Sequence, residues 1–165
     1  MTRRVLCLLL TRFALTASAQ QDPQFSQNMY NRLGVNPGYA GSNNAICGLL
    51  LARNQWMGFE GAPRTGLLAV DGPVSMLHGG LGFSVMYDEL GFDNNLGLKL
   101  GYAYRMDAGP GRLGIGLDAG ILQKSLDANL VWKSTDPDDK SIPDKGSSGM
   151  SPDFGFGAYY NTDEL

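Results

Sequence analysis

In four separate stretches of this chain, large apolar side chains fall on every second position and glycine, small or polar residues fill the places between them. In residues 95–106, Leu96, Leu98, Leu100, Tyr102, Tyr104 and Met106 alternate with Gly97, Lys99, Gly101, Ala103 and Arg105. The same rhythm runs through Leu81, Phe83, Val85 and Tyr87, through Leu113, Ile115, Leu117, Ala119 and Ile121, and through Phe154, Phe156, Ala158 and Tyr160. Side chains on a strand alternate between its two faces, so this pattern predicts strands with one greasy face and one small or polar face. Adding the less regular segments AICGLLLARNQW and RTGLLAVDG, six strands are expected, at 45–55, 64–71, 79–88, 95–106, 111–123 and 153–162. No long stretch has helical periodicity. The expected class is all-β and antiparallel.

A soluble sandwich would also alternate, with its apolar faces meeting in a core. Two features favour a transmembrane β-barrel. The expected strands are about ten residues long, as a tilted spanning strand requires, against the five or six typical of soluble sheets. The connections also alternate in length: MGFEGAPR, ELGFDNN and the segment 125–152 are long, whereas PVSMLH and DAGP are shorter. Outer-membrane barrels combine short periplasmic turns with longer outer loops, and every long connection lies outside if the first strand runs outward.

Tyr102, Tyr104, Tyr159 and Tyr160 then fall at the periplasmic boundary, and Trp56 and Tyr87 at the outer one, where half-wet aromatic rings are favoured. Leu96, Leu98 and Leu100 face lipid, and Lys99 and Arg105 face the lumen. The reverse assignment would place Lys99 in hydrocarbon at a cost of about 2–4 kcal/mol near the midplane.

Glycine supplies 23 of the 165 residues, about twice its usual share, and most of it lies inside these strands. Glycine weakens a strand unless something approaches closely or the sheet curves sharply. On the inner face it leaves space for large neighbours or for a segment plugging the lumen. Six strands do not close a transmembrane barrel, because the single-chain series begins at about eight, and open edges in lipid are costly. The expectation is therefore a partial barrel at 45–165, about six strands of a larger one, in a chain that carries its first part.

Residues 1–19 read as a cleaved secretory signal: Arg3 and Arg4, then the apolar run VLCLLL, then the small residues ASA. The run is too short for a spanning helix, and no other stretch is long enough either. Processing would remove Cys7, leaving Cys47 as the one cysteine of the mature chain and no internal disulfide. It would also remove three of 13 basic residues and none of 16 acidic ones, leaving 10 against 16 and a formal charge of −6. An acidic mature chain argues against nucleic acid as a partner.

Between the signal and the first strand lies QDPQFSQNMYNRLGVNPGYAGS. Its Asp22-Pro23-Gln24-Phe25-Ser26-Gln27 and Asn36-Pro37-Gly38-Tyr39-Ala40-Gly41 resemble the D-P-x-F-S-Q and N-P-A-Y-A-G runs of the PorP/SprF family of type IX secretion outer-membrane proteins of Bacteroidetes. Arg53, Gln55, Trp56, Gly58, Phe59, Gly61, Ala62 and Pro63 are similar to that family's R-x-Q-W-x-G-F-x-G-A-P run. Gly38 stands where the family usually has Ala, a difference expected to be minor. Family members are longer than this chain.

The resemblance implies a non-enzymatic outer-membrane barrel that needs no cofactor. Its partners would be membrane lipid, other type IX secretion components and secreted cargo such as gliding-motility adhesins. Residues 20–44 would start in the periplasm as a lead-in packed against the barrel, as a plug, or as a contact for periplasmic partners.

Other motifs carry little chemistry. The run 109–114 matches G-x-G-x-x-G, but Pro110 removes an amide and the pattern beyond it has period two, so a turn is expected rather than a dinucleotide site. The run DPDDK at 136–140 lacks the ordered spacing of a calcium loop and reads as a solvated outer loop. His78 is the only histidine, which rules out a histidine metal cluster; it is expected in a turn. Lys99, Arg105 and Asp118 are expected to line the lumen. Two other functional classes fit parts of the pattern: a passive channel or hydrophobic-solute transporter, and a soluble secreted sandwich.

Overall fold

The computed structural model describes residues 29–59, 61–127 and 147–162. Six strands form, one on each of the expected segments: β1 (Cys47–Asn54), β2 (Arg64–Val74), β3 (Gly79–Leu90), β4 (Asp93–Ala108), β5 (Gly111–Leu126) and β6 (Ser148–Thr162). They pair in chain order, every neighbour antiparallel, in a single open sheet. That is the form expected of part of a barrel wall. Among the described residues no helix is long and apolar enough to cross a membrane. β4 and β5 each contain 16 residues; at about 3.4 Å per residue, each exceeds what a tilted strand needs to cross an apolar band of roughly 25 Å.

The pairing register sorts side chains into two faces. On one, Leu50, Leu68, Val85, Leu98, Ile121 and Pro152 line up across all six strands, as do Val70, Phe83, Leu100, Ala119 and Phe154 in the next row. This face is bare: Leu100 is 60% exposed, Phe154 75% and Phe156 71%. A soluble sandwich would cover it with a second sheet, and the described residues form only one. The core lies on the opposite face, where Leu67, Ala69 and Ala103 are buried together with Ala40 from the segment ahead of β1. Lys99 and Arg105 occupy that inner face, as does Asp118, and Lys99 pairs with Asp153 at 2.8 Å.

Two tyrosines finish the outer face in the same way. Tyr102 lies over Gly79 and its hydroxyl donates to the Leu77 carbonyl at 2.6 Å. Tyr160 lies over Gly111 and donates to the Ala108 carbonyl at 3.1 Å. Each ring covers a bare stretch of backbone while its polar tip satisfies a turn carbonyl, which suits a residue at a water boundary.

Three expectations need correction. The ELGFDNN connection is not long: Gly91 and Phe92 alone join β3 to β4, and Gly91 takes the positive φ of +64° that a tight turn requires. Glu89, Asp93, Asn94 and Asn95 continue the ladder instead of leaving it. Tyr159 does not share the lipid-facing side of the periplasmic boundary with Tyr160; adjacent strand residues face opposite ways, and Tyr159 points inward. Pro73 and Val74 belong to β2 rather than to the connection after it. As expected, Gly109 and Pro110 form a turn, and so does His78, at φ +51°. The DPDDK run and residues 1–28 lie outside the described residues.

Candidate functional site

The segment from Asn31 to Asn44 is a string of self-bonded turns. The Asn31 side chain accepts from the Gly34 amide at 3.2 Å and so caps α1 (Arg32–Val35), a helix of four residues. Asn36 repeats the device, accepting from the Gly38 amide at 2.9 Å at the head of a 3₁₀ turn over Pro37–Tyr39. Pro37 suits that first position because its missing N–H would have no partner there. Backbone bonds from Tyr39 to Asn36, Ala40 to Pro37, Ser42 to Tyr39 and Asn44 to Gly41 continue the series. Gly41, at φ +68°, makes the bend that a side chain would oppose.

This segment rests on the inner face, over a floor of glycines. A Cβ at Gly116 would collide with Pro37 and the Gly38 amide, one at Gly80 with Ala40, and one at Gly114 with the Gly38 carbonyl. Gly157 likewise makes room for the Asn36 side chain, and Gly82 for Leu33. The high glycine content of the strands therefore has a local cause: backbone lies on backbone here. Gly38 belongs to the same fit. A Cβ at that position would lie 2.8 Å from the Gly114 carbonyl oxygen and 2.9 Å from the Tyr159 nitrogen, so glycine in place of the family's alanine is not a minor difference in this chain.

Polar side chains complete the attachment. One peptide group, between Ala40 and Gly41, is held at both ends. The Gly41 amide donates to Asp71 Oδ2 at 2.8 Å, and the Ala40 carbonyl accepts from Arg105 Nη1 at 3.4 Å. Asp71 is only 7% exposed, and a bond between an amide and a buried carboxylate is among the stronger kinds, at about 1.5–3 kcal/mol. Arg105 is itself steadied by Asn161 at 2.9 Å. Farther along, Asn36 Nδ2 donates to the Ala158 carbonyl at 2.9 Å. The Tyr39 and Tyr159 rings meet edge to face at 5.1 Å. Arg32 donates to the Tyr159 hydroxyl at 3.2 Å and lies 5.8 Å from the centre of the Tyr39 ring.

The second motif lies at the other end of the sheet. Arg53 ends the inward row of β1, and its guanidinium donates to Gln55 Oε1 at 2.7 Å. The Gln55 amide donates to the Pro63 carbonyl at 3.0 Å, closing the β1–β2 loop at its base. Trp56 at φ +50° and Gly58 at φ +100° bend the loop. Pro63 is buried and Ala62 half-buried, while Trp56, Met57 and Phe59 stand out at the tip. The loop touches the β3–β4 turn, where the Gly91 amide donates to the Gly61 carbonyl at 3.1 Å.

The candidate residues thus form two clusters, Asn36, Pro37, Tyr39 and Gly41 at one end and Arg53 to Pro63 at the other, and the fold does not bring them together. Asp22, Pro23 and Phe25 lie outside the described residues. Asp71 and Asn161 were missed from the sequence, although Asp71 was visible as a lone carboxylate on the inward parity of β2. The inward glycines of β3, β5 and β6 were read as space for large neighbours or a plugging segment, without the residues that fill it.

An open, outward-greasy meander whose inner face carries an N-P-G-Y-A-G segment matches the architecture expected from the motifs. The family model described as "Type IX secretion system membrane protein PorP/SprF" matches residues 17–165. The chain belongs to the PorP/SprF family. It is thereby a membrane component of the type IX secretion system, a family of secretion components rather than of enzymes. No curated protein and no solved structure matches it.

Proposed function

We propose that this PorP/SprF protein is a non-enzymatic wall component of the outer membrane that assists secretion or surface anchoring of type IX cargo, gliding-motility adhesins among them. Residues 1–19 direct export and are cleaved, lipid covers the face of Leu50, Leu98, Leu100 and Phe154, and other secretion components meet the exposed ends of the sheet. The observation that carries this reading is the combination of the family match across most of the chain with an apolar face left bare across six consecutive strands. A face of that size is unsuited to water and suited to acyl chains.

Deletion of the gene tests it. The expected result is loss of particular cargo proteins from the cell surface and medium, restored by the intact gene. Unchanged secretion and motility would refute the role. If instead purified protein in liposomes passed small solutes while secretion stayed normal, a passive channel would replace it.

A further inference from the structure

The segment Asn31–Asn44 is attached to the sheet in an unusual way. Its backbone–backbone hydrogen bonds are internal: Asn36 to Arg32, Tyr39 to Asn36, Ala40 to Pro37, Ser42 to Tyr39 and Asn44 to Gly41. Among the described residues, the hydrogen bonds that join it to the strands use side chains. Asn36 donates to Ala158, Arg105 to the Ala40 carbonyl, Arg32 to Tyr159, Arg112 to Asn44 and Asn43 to Cys47, and Asp71 accepts from the Gly41 amide. A strand leaving a sheet strips a ladder of backbone groups that must find new partners. Among the described residues, this segment could lift away without opening one ladder bond, and the bonded amide it would uncover is that of Gly41.

From this geometry we infer that residues 31–44 form a seated stopper on the inner wall, released as a unit and held shut chiefly by Asp71 and Arg105. The inference rests on reading the sheet as a barrel wall. Opposite charges grip opposite ends of one peptide dipole, so the grip depends on both residues and on the orientation of that single peptide. The seat beneath it is flat and glycine-lined, and offers the departing segment no interlocking side chains on Gly80, Gly114, Gly116 and Gly157. When the segment leaves, the inner face exposes Asp71, Arg105 and bare backbone. Residues Ala45 and Ile46 keep the stopper tethered at the start of β1.

The test uses the full-length protein reconstituted in planar bilayers, with the native cysteines replaced by serine. The intact seat is expected to give a low conductance, and the Asp71→Asn/Arg105→Gln double variant about ten-fold more open time or greater. Bridging Tyr39→Cys to Tyr159→Cys with a short bifunctional thiol reagent is expected to return that variant to the closed level. Trypsin cleavage after Arg32 should quicken by about ten-fold in the double variant, because cleavage follows the released population, and slow again on bridging. Equal conductance in both proteins, or an open pore that bridging leaves open, would overturn the stopper. A protein that never inserts in the bilayer would overturn the barrel reading beneath it, a separate and distinguishable failure.

Discussion

Lys99 on β4 reaches across β5 to Asp153 on β6, closing a 2.8 Å ion pair over the backbone of Gly120. Gly120 is what makes the span possible, since a Cβ there would lie 2.8 Å from Lys99 Cγ and nearer still to the Leu98 carbonyl. Three strands are thus tied by one side chain lying flat on the inner wall. Asp153→Asn is expected to cost only about 0.5–1 kcal/mol, because both partners keep some contact with water. Gly120→Val should cost more, about 1–3 kcal/mol. Urea midpoints in lipid vesicles check the order, which reverses if the charge rather than the space matters most.

The assignment of faces predicts a sharp contrast between neighbours. Leu98 stands on the bare outer face, and Leu98→Arg is expected to lose about 2–4 kcal/mol of membrane stability if it lies near the midplane. Gly97 is on the inner face, with its nearest neighbours, Leu122 and Met86, 3.8 Å from where a Cβ would stand. Gly97→Ser should therefore assemble normally. Outer-membrane fractionation of both variants measures this, and equal tolerance would cancel the assignment.

Alanine at two glycines should behave oppositely. At Gly38 the added methyl meets backbone within 3.0 Å on three sides, so Gly38→Ala should loosen the seated segment at a cost of about 1–3 kcal/mol. At Gly66 nothing lies within 4 Å, and Gly66→Ala should be neutral or slightly stabilising, since alanine constrains the unfolded chain. Hydrogen exchange of the Gly41 and Ser42 amides reports the first effect directly.

The two tyrosine covers predict graded losses. Tyr102→Phe and Tyr160→Phe each remove one bond to a turn carbonyl, worth about 0.5–1.5 kcal/mol. Tyr102→Ala and Tyr160→Ala also uncover Gly79 or Gly111 and are expected to cost more. Thermal midpoints of the folded form separate the hydroxyl from the ring.

Period-two alternation made β3 to β6 and their faces legible, because one face of each is largely apolar and parity does not drift along an extended chain. The β3–β4 turn was not legible. Glu89, Asp93, Asn94 and Asn95 are polar, but a strand that continues past the greasy band can carry polar side chains and keep its ladder. Composition alone does not distinguish such an extension from a loop. The error over Tyr159 was avoidable, since its neighbour Tyr160 lies on the apolar parity and the two must diverge. Asn36 to Gly41 announced themselves as a motif, yet their seat did not. Asp71 lies 30 positions from Gly41 and Arg105 lies 65 from Ala40, and nothing local in the chain links them.

Each strand pairs only with its neighbours in the chain, so the wall can grow hairpin by hairpin. Asn36 waits for Ala158, 122 positions downstream. The portion synthesised before the wall therefore docks after it, and a newly assembled wall passes through a stage with its inner surface uncovered.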